Sequence, residues 1–108
     1  MNLTPVLSRL ARGHICLIDC ATMWLSNHLL ANSDLPTAQT ALLKAIDTSF
    51  ADLVIVSNEV GHGVVPDNKL ARTFREAQGR LNIALAARAD LVVQVSVGLP
   101  MVLKGQLP

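Results

Sequence analysis

Four groups of side chains in this sequence have types and spacings that could do chemistry. Asp19 closes the run H-I-C-L-I-D, which has the form of a Walker-B acid, a strand-end carboxylate that holds nucleotide-bound Mg²⁺ directly or through water. Ser57, Asn58 and Glu59 follow a second apolar run, L-V-I-V, and lead into Gly61-His62-Gly63. Glycines there permit positive φ and let backbone N–H groups approach a phosphate. Ser96 and Gly98 end a third run, L-V-V-Q-V. Arg72, Arg75 and Arg80 form the fourth group, with guanidinium groups suited to clamping phosphate.

Three of these groups have a structural reading beside the functional one. Taken alone, Asp19 is better explained as the cap of a helix starting at Cys20, because Asp is a favoured N-cap residue. The glycines are explained equally well by a strand-to-helix turn. Glu76 lies four residues after Arg72 and four before Arg80, so pairing along a solvated helix face is the stronger account of the arginines. His62, in a loop at a strand end, is the histidine best placed for acid–base work, whereas His14 and His28 read as structural.

The elements that must position these groups follow from the apolar pattern. The segments 14–19, 52–58 and 90–98 are rich in Val, Ile and Leu, and their nearly continuous apolar character predicts strands covered on both faces, as in a parallel sheet. Helices are predicted over 21–30, over 36–50 with Ala38, Leu42, Ala45 and Ile46 facing inward, and over about 68–89. In the last, Leu70, Phe74, Ala77, Leu81 and Leu85 make one stripe, and Asp67 is placed to cap its start. Thr4-Pro5-Val6-Leu7 reads as a helix opening, and the amino terminus looks cut. Strand, helices, strand, helix, strand is an α/β order, expected as one domain over residues 1–108 with a doubly wound sheet whose ligand side lies beyond the carboxyl ends of its strands.

Composition narrows the function classes. The 108 residues are 51% apolar and 16% charged, which excludes disorder. A net charge of +1 with scattered basic residues, and only Trp24, Phe50 and Phe74 as aromatics, argues against nucleic-acid binding. No apolar run reaches the ~18 residues of a membrane span and no signal peptide is evident, so a soluble intracellular protein is expected. If Cys16 and Cys20 lie on an extended segment, they are roughly 13 Å apart, beyond the reach of a disulfide. The three histidines show no metal-ligand spacing.

Three motifs fail when tested. Gly61-His62-Gly63 does not extend to G-x-G-x-x-G, because the sixth position is Pro66. Q-V-S-V-G has Gln94 where a nucleophile elbow needs glycine. None of the six glycines begins G-x-x-x-x-G-K-[ST], the phosphate cradle that a Walker-B acid normally serves.

From S-N-E-V-G-H-G-V-V-P-D-N-K-L-A-R-T-F-R-E-A-Q-G-R-L-N through A-A-R-A-D to V-S-V-G-L-P-M-V-L-K, the sequence resembles the bifunctional adenosylcobinamide kinase / adenosylcobinamide-phosphate guanylyltransferase family of cobalamin biosynthesis. L-I-D-C-A-T-M-W-L-S-N extends the likeness upstream, so that it covers Ile15 to Lys104. The resemblance implies a P-loop-NTPase-like parallel sheet with helices on both faces, here truncated at the amino terminus as the C-terminal portion of the family fold. It implies phosphorylation of adenosylcobinamide by ATP or GTP with Mg²⁺, then GMP transfer from GTP through a guanylyl-histidine, in a cytoplasmic homo-oligomer, a trimer in the family. By the same resemblance Asp19 falls on the family's acidic metal position, which places a Mg²⁺ or GTP role ahead of the cap. Thr22 falls where the family contacts nucleotide, and Asn58, Glu59, Gly61 and Gly63 fall on its signature loop, as ligand contacts or as shapers of the loop.

The departure is equally informative. The family's P-loop and guanylylated histidine have no counterpart in these 108 residues, and none of His14, His28 or His62 aligns with that nucleophile. The expectation is an artificially shortened chain, a split gene product or a decayed paralogue, inactive as an isolated chain. The alternative is a non-catalytic oligomerisation module that has lost nucleotide binding.

Overall fold

A computed structural model describes Leu3 and residues 6–7, 9–58 and 69–108. The chain enters through Val6 and Leu7, both helical, and Leu7 is almost fully buried. Gly13, at φ +86°, turns the backbone into strand β1, Ile15–Asp19. Helices α1, Ala21–Leu30, and α2, Leu35–Thr48, lead to strand β2, Asp52–Val56. Helix α3, Lys69–Arg88, is followed by strands β3, Val92–Ser96, and β4, Leu99–Lys104.

Local chemistry explains the boundaries. Helix α1 ends because Asn32 takes a left-handed φ of +54°, with its N–H donating to the Leu29 carbonyl and the Ser33 N–H to the His28 carbonyl. That is a Schellman closure, with asparagine in the position glycine usually fills. Two residues on, Asp34 caps α2 by accepting from the Thr37 N–H at 3.4 Å and from the Thr37 hydroxyl at 2.9 Å. The helix spans predicted from the sequence agree with these bounds to within two residues. Asp67 lies outside the described residues.

Strands β1 and β2 pair in parallel from Ile15 opposite Asp52 to Asp19 opposite Val56. Their connection through two helices has the length a parallel pair requires. Cys16, Ile18, Leu53 and Ile55 point to one face and join the core built by Trp24 and Leu25 of α1, Leu42, Ala45 and Ile46 of α2, and Phe74, Ala77, Leu81 and Leu85 of α3. Leu70, expected on the same stripe, is exposed. Arg88 ties α3 to α2 through Asp47 at 3.0 Å.

Two expectations are corrected. The third strand does not extend a parallel sheet. Among the described residues β3 pairs only with β4, antiparallel, across the two-residue turn Val97-Gly98, whose φ values of +48° and +77° are those of a hairpin. The run L-V-V-Q-V resembles a parallel-sheet strand, but a two-residue connection can only return the chain alongside itself. Second, the described helices cover one sheet face rather than two: Ile15, Leu17, Val54 and Val56 on the opposite face are exposed. No described helix is long and apolar enough to cross a membrane. Cys16 and Cys20 are free thiols.

Candidate functional site

The parallel register brings the carboxyl ends of β1 and β2 to one level, with Asp19 beside Val56 and Ser57-Asn58 leaving the sheet directly after it. The N-cap of α1 is Cys20, which makes no side-chain cap bond, so Asp19 lies one residue before the cap and does not fill that role. Its carboxylate is exposed. Thr22, in the first turn of α1, accepts through Oγ1 from the Asn58 N–H at 2.9 Å. The structure thus joins Thr22 to Asn58 and sets Asp19 alongside. Glu59, Gly61, His62 and Gly63 lie outside the described residues.

A layer of amides lies behind this edge. Gln78 Nε2 donates to Ser57 Oγ and to Asn82 Oδ1, each at 3.0 Å, and the Ser57 hydroxyl donates to Asn82 Oδ1 at 2.6 Å. Asn82 Nδ2 donates to the Asn58 carbonyl at 3.0 Å. Gln78 is fully buried, and its Oε1 has no donor among the described residues. Sequence reasoning missed this pair. The signal was available, since positions 78 and 82 are four apart on the same side of the helix as Phe74, Leu81 and Leu85, where polar side chains interrupt an otherwise apolar stripe.

The other candidates fall elsewhere. His14 accepts at Nδ1 from the Ala11 N–H at 3.0 Å, which closes the turn before β1. His28 lies against Trp24, with ring centroids 4.6 Å apart, and its Nδ1 is 3.0 Å from Ser33 Oγ. Both serve local structure, as expected. Arg72, Glu76 and Arg80 are exposed, as on a solvated face, whereas Arg75 is half-buried. A cleft of about 420 Å³ lies between the end of α1 and the start of α2, lined by Trp24, His28, Ser33, Asp34 and Thr37, and includes none of the strand-end residues.

No group of three or more His, Cys, Asp or Glu is positioned to hold a metal among the described residues. The donor chemistry at Asp19 fits a less demanding ion, because Mg²⁺ is commonly bound by one or two carboxylates together with substrate phosphates and water. An exposed carboxylate not engaged as a helix cap supplies one such donor.

A parallel strand pair carrying an acid, a hydroxyl and a clamped main-chain segment at its carboxyl ends, with helices behind, is an α/β arrangement, a class in which ligands generally bind beyond those ends. The sequence matches the family described as cobinamide kinase / cobinamide phosphate guanyltransferase over residues 1–103, and the chain belongs to that family. It is 40% identical over 96 residues to the bifunctional adenosylcobalamin biosynthesis protein CobP of Pseudomonas aeruginosa, covering 87% of this chain and 56% of that protein. It is 36% identical over 116 residues to the bifunctional adenosylcobalamin biosynthesis protein CobU of Salmonella typhimurium, covering 94% and 64% respectively. The chain therefore spans less than two-thirds of the length of these relatives.

Proposed function

We propose that the chain acts in cobalamin biosynthesis as part of an adenosylcobinamide kinase and adenosylcobinamide-phosphate guanylyltransferase, as the C-terminal portion of a P-loop-like fold. The observation that carries the reading is an exposed Asp19 carboxylate, free of capping duty, at the carboxyl end of β1 in a member of this family. Asp19 would hold Mg²⁺ together with the phosphates of GTP or ATP, and the ion would supply charge neutralisation for phosphoryl transfer. Thr22 and Asn58 line the nucleotide side, and the family resemblance assigns Glu59, Gly61 and Gly63 to the signature loop, as ligand contacts or as shapers of the loop. The phosphate cradle comes from outside these 108 residues, since no glycine here begins that motif. The assembly is a cytoplasmic homo-oligomer, and the isolated chain is inactive.

Titration calorimetry of GTP with Mg²⁺ against this chain and its Asp19→Ala variant tests the reading. The variant is expected to bind at least about tenfold more weakly, the loss of a charge-assisted contact. Tight, magnesium-independent binding that is equal in both would overturn the role of Asp19.

One observation favours a second reading, a non-catalytic oligomerisation module. Ile15, Leu17, Val54 and Val56 leave an apolar sheet face open to a partner. Light scattering with a radiolabelled-GTP assay separates the two: a stable oligomer without nucleotide affinity supports the module, and a covalent GMP adduct on this chain excludes it.

A further inference from the structure

Gln78 and Asn82 occupy a helix face where aliphatic side chains would fill the same volume without the cost of burying amides. What the amides achieve can be followed atom by atom. Both N–H groups of Gln78 are spent, one on Ser57 Oγ and one on Asn82 Oδ1. Asn82 Oδ1 accepts a second bond from the Ser57 hydroxyl. With two donors facing its oxygen, the Asn82 amide cannot flip without setting its NH₂ against them, so Nδ2 is left aimed at the Asn58 carbonyl. The Asn58 N–H is held on the other side by Thr22 Oγ1. An exposed residue just beyond β2 is thereby gripped through both its main-chain polar groups by two different helices.

The geometry points to Asn82 as a positioning residue. Without touching ligand, it fixes the Asn58 main chain beside Thr22 and Asp19, and Gln78 and Ser57 fix Asn82. The inference rests on the nucleotide-site reading of this edge, but its mechanical part can be measured without nucleotide.

The informative variant is Asn82→Asp. It keeps the volume and the acceptor for Ser57 and Gln78, but replaces the donor to Asn58 with a second oxygen. Thr22→Val removes the grip from the other side and Thr22→Ser retains it, which secures the test should Asn82→Asp fold poorly. Amide hydrogen exchange on the full chain is read at Asn58 and, as a control, at Ile55 within β2. Exchange at Asn58 is expected to rise about tenfold in Asn82→Asp and Thr22→Val, with Thr22→Ser near wild type and Ile55 unchanged. The dissociation constant for GTP with Mg²⁺ is expected to rise about tenfold in Asn82→Asp with little change in Tm.

Unchanged exchange at Asn58 overturns the proposal, as does an equal rise at Ile55, which would make the network a general stabiliser. Local release with unaltered GTP affinity also overturns it. A wild-type chain that binds no GTP favours the oligomerisation module over the nucleotide-site reading, and the exchange result then decides whether Asn82 positions Asn58.

Discussion

The two strand pairs are built from similar residues and end in opposite environments. In β1–β2, Cys16, Ile18, Leu53 and Ile55 face three helices, and the strand ends carry the polar edge described above. In β3–β4, every residue of β4 is exposed, including Leu99, Met101 and Leu103. The difference follows from the connections. Two helices between β1 and β2 must lie against the sheet they join, whereas two residues between β3 and β4 bring no covering layer with them. The hairpin is fastened to the helices by Lys104, whose Nζ donates to the Ala86 and Ala87 carbonyls at 3.0 and 3.2 Å in the last turn of α3. An ammonium there also faces the negative end of the helix dipole.

The largest expected effect separates the two regions directly. Leu81 is fully buried under β1–β2, so Leu81→Ala should cost about 3 kcal/mol from lost transfer energy and a residual cavity. Val95→Ala in the hairpin, where the side chain is 68% exposed, should cost no more than about 0.5 kcal/mol. Urea unfolding of both variants checks the contrast. Equal losses would mean that the hairpin is packed in solution and that the comparison fails.

A smaller effect tests the fastening. Gly105 has φ +78°, and a Cβ there would run into the Asp90 carbonyl, a backbone atom that cannot swing aside. Gly105→Ala should therefore cost about 2 kcal/mol through strain and a displaced chain end. Hydrogen exchange should localise the damage to β3–β4 and leave Ile18 and Ile55 protected. A uniform rise would show that the hairpin unfolds together with the helical layer.

This contrast also explains which parts of the architecture were legible in the sequence. The helices were, because Ala38, Leu42, Ala45 and Ile46, and Phe74, Ala77, Leu81 and Leu85, repeat at helical spacing and do face the core. The parallel pairing of the first two strands followed from the helices between them. The third strand was misread because L-V-V-Q-V suggests burial on both sides, while the feature that decides its partner is Val97-Gly98, a weak turn signal. At the strand-end edge Thr22 and Asn58 are hydrogen-bonded and Asp19 ends the neighbouring strand opposite Val56, while Gln78 and Asn82 stayed hidden because a helix stripe is read by its apolar members. The cap reading of Asp19 was wrong for a local reason, since α1 starts one residue later than that role requires.

The smallest expected effect concerns that same turn. Val97 is 92% exposed at φ +48°, a left-handed conformation that a β-branched side chain adopts at a cost. In a two-residue hairpin with positive φ at both centres, Asn-Gly is the favoured pair, because asparagine tolerates this region and glycine enters it freely. Val97→Asn gives up almost no buried surface and relieves the backbone, so it should stabilise by about 0.5–1 kcal/mol. The rise in Tm should be about 3–5 °C for a chain of this size, measurable by thermal melting. A fall would show that the valine is held in solution by contacts its exposure does not register, giving β3–β4 a packing partner and removing the asymmetry between the two strand pairs.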